Sequence, residues 1–427
     1  MFIRNGPNPQ FPPLNPYHWF DGDGMVHGVQ IGDGKAAYRN RYVQTRGFKL
    51  EQNAGRAIWT SLMAPPQLNN PYGSFKNTAN TALVSHAGRL LALWEGGEPY
   101  EIEAPGLKTL GPYTYEGKLV SAFTAHPKID AITGEMMFFG YSLVVPPYLR
   151  YGVVSAQGEL VRTVPIDLPT GVMMHDFAIT EHYTLLMDLP LTFRLERLQR
   201  GEPAYLFEPD SPSRFGILPR HGDSSSIRWF EAPACYVLHT LNAYEVGEEV
   251  VLIACRMNGT TFLNIPSKPY NSKGDIPRLH RWRFNLRTGE VREEVLDDVA
   301  SEFPSVNKQR LGQQNRYGYT ARIVNGSPLF IQDGLLKYDF INGFSQMHNF
   351  GLGRYGGEAV FVPRPNGTAE DDGWLLTFVY DTAKETSELV LVNPQDLTAE
   401  PVARILIPQR VPYGFHGTWI AETHIAG

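Results

Sequence analysis

The chain has little of what most readily reveals a function. Only two cysteines occur in 427 residues, Cys235 and Cys255, which excludes a disulfide-stapled scaffold. Both lie in strand-like apolar runs, so two buried free thiols are expected. No stretch reaches the roughly 18 consecutive apolar residues of a membrane-spanning helix, and the opening residues carry no apolar signal-peptide core. Charged residues make up 19% of the chain, the net charge is −6 and no Lys/Arg block occurs; nucleic acid is therefore not an expected partner. The expected location is the cytoplasm. In that setting the sequons at Asn258, Asn325 and Asn366 read as Asn-Gly turns and not as glycosylation sites. No HExxH, G-x-S-x-G or P-loop is present. No segment sustains an apolar 3.6-residue period beyond about three turns.

What is present is strand after strand. "RLLALWEGG" (89–97), "GEMMFFGYSLVV" (134–145), "EEVVLIACRM" (248–257), "PRLHRWRFNLRTGEVREEVL" (277–296) and "GWLLTFVYD" (373–381) are rich in β-branched and aromatic residues and end in turn formers. Thr-Gly-Glu or Gln-Gly-Glu steps at 133–135, 157–159 and 288–290 sit where hairpins should turn. Length alone favours two or three domains. Yet no linker divides the chain, and its polar runs, such as "RPNGTAEDDG" (364–373), are loop-sized. One all-β domain spanning 1–427 is expected. A propeller closes so many short strands without long edges; a tandem β-sandwich is the alternative.

"HWFDGDGMVHG" (18–28) follows a turn-rich opening and invites a calcium-loop reading. The twelfth position counted from Asp21 is Gly32, where calcium needs a bidentate glutamate, so that reading fails. Among the 12 histidines, four have apolar or small neighbours: His126 in "FTAHPK", His175 in "GVMMHDF", His239 in "YVLHTLNAYE" and His416 in "GFHGTW". A buried imidazole needs a partner on both nitrogens, and a metal with an acceptor behind the ring supplies both. Their separations of 49, 64 and 177 residues are not the short spacings that identify a metal site unaided. Core histidines remain the alternative.

Taken together, "RNGPNP", "YHWFDGDGMVHG", "LALWEGGEPYE", "TAHPK", "MMHDFAIT", "LHTLNAYE", "EFPSVN", "GGEAVFVP" and "GFHGTW" resemble, in order and over nearly the whole chain, the carotenoid cleavage oxygenases. The resemblance implies a seven-bladed β-propeller capped by loops and short helices that form a substrate tunnel. It implies ferrous iron, Fe(2+), on the propeller axis, held by His126, His175, His239 and His416. Glu95, Glu302 and Glu358 would accept hydrogen bonds from the ligand imidazoles, leaving His126 without such a partner. Four neutral imidazoles leave two octahedral positions open, and the glutamates fix each tautomer. The implied reaction is cleavage of a conjugated C=C bond by O₂ to two carbonyl products.

The family divides into cleavers of carotenoids or apocarotenoids and cleavers of hydroxystilbenes or phenylpropenes. Tyr100 and Lys128 stand at positions equivalent to the pair that grips a phenol hydroxyl in the second branch. The long aromatic opening and "PPYLRYGVVSAQGELVR" look more like the first, which is the expected branch. A non-catalytic propeller scaffold is the third reading. "SLVVPPYLRY" (142–151) is the candidate for a peripheral membrane contact, against an ordinary buried strand and turn. Family members usually carry a longer lead before "RNGPNP", which here begins at Arg4; stability and membrane binding are the properties expected to depend on such a lead.

Overall fold

The structure is a computed structural model and describes residues 1–61, 64, 67–200, 202–260, 275–324 and 331–421. The chain folds as a seven-bladed β-propeller. Blade 1 orders its strands Lys35–Tyr42, Met25–Gly32, Phe2–Arg4 and Gly417–Trp419 from rim to axis. Blade 2 runs from Ala82–His86 through Arg89–Leu93 and Tyr100–Ile102 to Thr109–Pro112; blade 3 from Lys128–Ile129 through Met136–Tyr141 and Leu149–Val154 to Leu160–Ile166. Blade 4 contains Ala178–Ile179, Tyr183–Asp188, Ser213–Pro219 and Arg228–Ala232.

Blades 5 and 6 share one strand. Val291–Ser305 pairs through residues 291–300 with Arg278–Asn285, the third strand of blade 5, and through residues 301–305 with Tyr317–Ile323 of blade 6. The same strand is thus the rim of one blade and the axis of the next, which joins the two into one seven-stranded sheet. Tyr236–Val246 and Glu249–Met257 complete blade 5, and Gln332–Asp339 and Phe344–Asn349 complete blade 6. Blade 7 is built on Val360–Pro363, Gly373–Asp381, Thr386–Val392 and Ala403–Ile407.

The expected hairpin steps turn as the glycines require: Gly134, Gly158 and Gly289 take φ of 72°, 86° and 79°, a region open to glycine without steric cost. Asn366 also turns at φ 61°, and Asn325 lies outside the described residues. Both cysteines are free and buried. Because each blade packs on two neighbours, its middle strands are apolar on both faces: Val250 to Cys255 are each 0% exposed. One core joins blades 3, 4 and 5 through Phe139, Tyr151, Phe177, Phe215, Tyr236 and Trp282.

Closure comes from the chain ends. Phe2 faces Val29 on one side and Trp419 on the other, and the Met1 ammonium donates to the Ile420 carbonyl at 2.7 Å. Within "SLVVPPYLRY" residues 142–148 are a loop on which Val144 and Val145 are exposed, and the strand weighed for this segment begins only at Leu149–Val154. Among the described residues no helix is long and apolar enough to cross a membrane.

Candidate metal centre

Seven polar side chains meet at one end of the propeller axis, one from each blade. His126, His175, Glu358 and His416 stand just before the innermost strands of blades 3, 4, 7 and 1, while His239 and Glu302 lie within those of blades 5 and 6. Glu95 arrives differently. The second strand of blade 2 runs back antiparallel, so that Leu93 lies opposite Ala82 and Glu95 emerges at the same end. Strand polarity therefore collects residues that are far apart in sequence.

The four histidines each offer a ring nitrogen within a group whose members all lie within 4.8 Å of one another. His126 Nε2 is 3.0 Å from His175 Nε2, and His175 Nε2 is 3.2 Å from His239 Nε2. Behind them stand the carboxylates. His239 Nδ1 donates to Glu302 at 2.6 Å, His416 Nδ1 to Glu358 at 3.0 Å, and His175 Nδ1 meets Glu95 in direct contact. Among the described residues no carboxylate stands behind His126; its backbone N–H is held by Thr124 Oγ1 at 3.0 Å.

This donor arrangement fits a cation. A proton on Nδ1, pointed at a carboxylate, leaves Nε2 as a lone pair. Two such lone pairs 3.0–3.2 Å apart repel unless a positive ion lies between them, and this is the spacing of neighbouring ligands each about 2.1 Å from a first-row metal. Four imidazoles suit a divalent transition metal better than calcium or magnesium, which prefer oxygen.

Without metal these groups shift in different directions. Burial, reinforced by the neighbouring imidazoles, holds His126 and His239 well below the ordinary histidine range. Burial acts the same way on His175, but Glu95 outweighs it and the net direction is upward. Burial lifts Glu302 to about 8, whereas at Glu358 the His416 ring overcomes burial and lowers it.

Several supporting residues escaped the motif reading. Tyr141 donates to Glu95 Oε1 at 2.9 Å. Asp176, the residue after His175, binds Lys128 Nζ at 2.7 Å through one oxygen and the Thr240 N–H and hydroxyl at 2.7 and 2.8 Å through the other. It thereby ties blades 3, 4 and 5 beneath the histidines. Phe303 lies in the left-handed region at φ 52°, a strained conformation for an aromatic residue. The strain lets Glu302 and Phe303 both serve the centre: the Phe303 ring stacks on His239 at 5.5 Å and meets His416 edge-on at 5.3 Å. A buried acid beside a candidate ligand in "MMHDF" was the available signal for Asp176; nothing in the sequence announces the backbone of Phe303.

Tyr100 and Lys128 are placed apart. Lys128 is committed to Asp176. Tyr100 lies two strands out from the axis in blade 2, 3% exposed among Ile3, Leu83, Leu90 and Ile102, and its oxygen accepts from the Arg46 N–H at 3.0 Å.

A family model described as retinal pigment epithelial membrane protein matches residues 1–421. The chain is 41% identical to carotenoid 9,10(9',10')-cleavage dioxygenase 1 of Arabidopsis thaliana, over 99% of this chain and 84% of that protein. Among solved structures, the lignostilbene dioxygenase of Pseudomonas brassicacearum superposes with a TM-score of 0.91 at 32% identity, covering 98% of this chain and 91% of that one. The cobalt-substituted apocarotenoid oxygenase of Synechocystis does so with 0.87 at 31%, covering 98% and 92%.

Proposed function

The chain belongs to the carotenoid cleavage oxygenases, and from that premise we propose that it uses Fe(2+) and O₂ to split a conjugated C=C bond of a carotenoid or apocarotenoid into two carbonyl products. The observation that carries this reading is the convergence of four imidazoles with three carboxylates behind them. We assign His126, His175, His239 and His416 as ligands, and Glu95, Glu302 and Glu358 as the groups that orient three of them. When bound, the iron supplies the site at which O₂ meets an electron-rich double bond. The chain supplies the rest. The carboxylates keep Nδ1 protonated and the Nε2 lone pairs aimed inward, and Phe303 and its neighbours shield the rings from water.

A second reading, cleavage of hydroxystilbenes, is favoured by the superposition on lignostilbene dioxygenase. The hydrogen bonding of Tyr100 and Lys128 within the protein weighs against their gripping a phenol. We assign both to stability, and the carotenoid reading leads.

The test is an assay of products by mass on iron-loaded protein in air, offering a long apocarotenal and a hydroxystilbene together. Shortened apocarotenoids support the proposal, and their masses give the bond cleaved. Benzaldehyde-type products alone would replace it with the stilbene reading.

A further inference from the structure

The four candidate ligands are not held alike. His239 lies inside the 11-residue strand Tyr236–Val246, whereas His416 stands just before Gly417–Trp419, a strand of 3 residues. Glycines at 414 and 417 bring no Cβ to restrict the backbone around it. Contacts from outside the segment must place this imidazole, and they converge on Asn5.

Asn5 is fully buried. Its backbone N–H donates to the His416 carbonyl at 3.1 Å, and its carbonyl accepts from the Phe415 N–H at 3.1 Å. Beyond the regular pair of Arg4 with Gly417, one residue thus faces two, a bulged pairing that re-aims the side chains it carries. The two chain segments come this close because glycine stands on both: a Cβ on Gly6 would lie 2.8 Å from Gly414 Cα. The Asn5 side chain reaches the other way, to the start of blade 2. Its Nδ2 donates to the Ala79 and Ala82 carbonyls at 2.7 and 3.3 Å, and its Oδ1 accepts from the Gly6 N–H at 3.0 Å. Between those two alanines stands Thr81, whose own carbonyl accepts the His416 N–H at 3.2 Å. Asn80 holds the same segment from its other side, donating to the Phe20 and Gly22 carbonyls at 2.9 and 2.8 Å.

The His416 backbone is therefore gripped twice, at its carbonyl by Asn5 itself and at its N–H by the segment that the Asn5 amide fastens. That amide uses both of its protons and its oxygen. An aspartate would instead turn acceptors toward two carbonyls, and a serine has a single proton to give. We propose that Asn5 is a positioning residue for the metal centre: it sets where the His416 ring stands, and so completes the set of four imidazoles without touching the ion. This rests on the proposed assignment of His416 as a ligand, but the placement of its backbone can be read without any metal.

The experiment adds cobalt(II) to the metal-free full chain and follows its visible absorption, which responds to the number and arrangement of the ligands, alongside hydrogen exchange of the metal-free chain. Asn5→Asp is expected to weaken cobalt binding about 10- to 100-fold and to move the spectrum at saturation toward that of His416→Ala. Asn5→Ser keeps one donor; it should move both readouts in the same direction but less, and it serves if the aspartate variant does not fold. Asn315→Asp is the control. It also alters a buried amide, one that donates to the Tyr317 carbonyl at 2.8 Å, and it should lower stability while spectrum and affinity stay native. Native spectrum and affinity in the Asn5 variants, with stability alone reduced, overturns the proposal. If the unaltered protein binds no cobalt, the metal reading falls and hydrogen exchange decides the rest. Exchange at residues 415–417 that rises in the Asn5 variants beyond the rest of the chain supports the placement of His416 by Asn5, and exchange no faster there than elsewhere overturns it.

Discussion

Two regions of the propeller bury histidine to the same depth and use it differently. In the closing blade, His27 is 2% exposed and its Nδ1 sits 2.7 Å from the Tyr38 hydroxyl. Among the described residues it faces no carboxylate and no second imidazole, and burial with Arg4 nearby lowers it to about 3. At the axis, His239 is 5% exposed, but a carboxylate grips its Nδ1 and its Nε2 lies 3.2 Å from Nε2 of His175. Burial alone therefore says nothing about metal. What separates a packing histidine from a candidate ligand is a fixed tautomer whose remaining lone pair meets other lone pairs.

The sharpest way to break this comparison is to truncate one histidine of each kind. His239→Ala is expected to reduce bound metal, measured by mass spectrometry of the metal, to background and to abolish cleavage; His27→Gln should retain both. Glu302→Gln, which keeps the shape but replaces the carboxyl behind His239 with an amide, should cost about 10–100-fold in metal affinity or activity, read by competition with a chelator. Lys128→Met tests the support beneath the cage. It leaves Asp176 buried without its ammonium, and chemical denaturation should register a loss of about 3 kcal/mol.

Acid sharpens the contrast further. Folded His27 stays neutral down to about pH 3, whereas the unfolded chain takes up a proton near 6.5. Stability from this group is present above pH 6.5 and is lost as pH falls toward 3, at about 1.4 kcal/mol per unit. Denaturation midpoints of His27→Phe should fall less steeply over that window. The smallest effect is expected from Tyr100→Phe: about 1 kcal/mol of stability for one hydrogen bond, with no change in the ratio of stilbene to apocarotenal turnover. A selective loss of stilbene cleavage would instead return Tyr100 to the substrate.

Much of this was legible because short motifs carry the axial residues. "AHPK", "MMHDF", "LHTLNAYE", "EFPSVN", "GGEAVFVP", "GFHGTW" and "LWEGG" contain all seven side chains that meet at the axis. The hairpin steps were legible for a simpler reason, since positive φ selects glycine. Strand faces were not. A run such as Val250 to Cys255, buried on both sides, shows no alternation to read. The continuation of the strand from Val291 to Ser305 was hidden because "REEVLDDVASE" exposes charge along its blade 5 half and becomes buried only where it enters blade 6. Asp176 and Phe303 act through geometry that several blades create together, and no single segment encodes it.

That each blade contributes one residue to the cage has a consequence for assembly. His416 enters with Gly417–Trp419, the strand that zips the last-made part of the ring to the first. Until that seam forms, the chain has at most three of its four imidazoles in position. On the proposed ligand assignment, loading of the ion would act as an inspection step: a ring still open, or a seam slipped by a residue, would misplace His416. On that assignment, only a ring shut around its axis would present all four imidazoles to the ion.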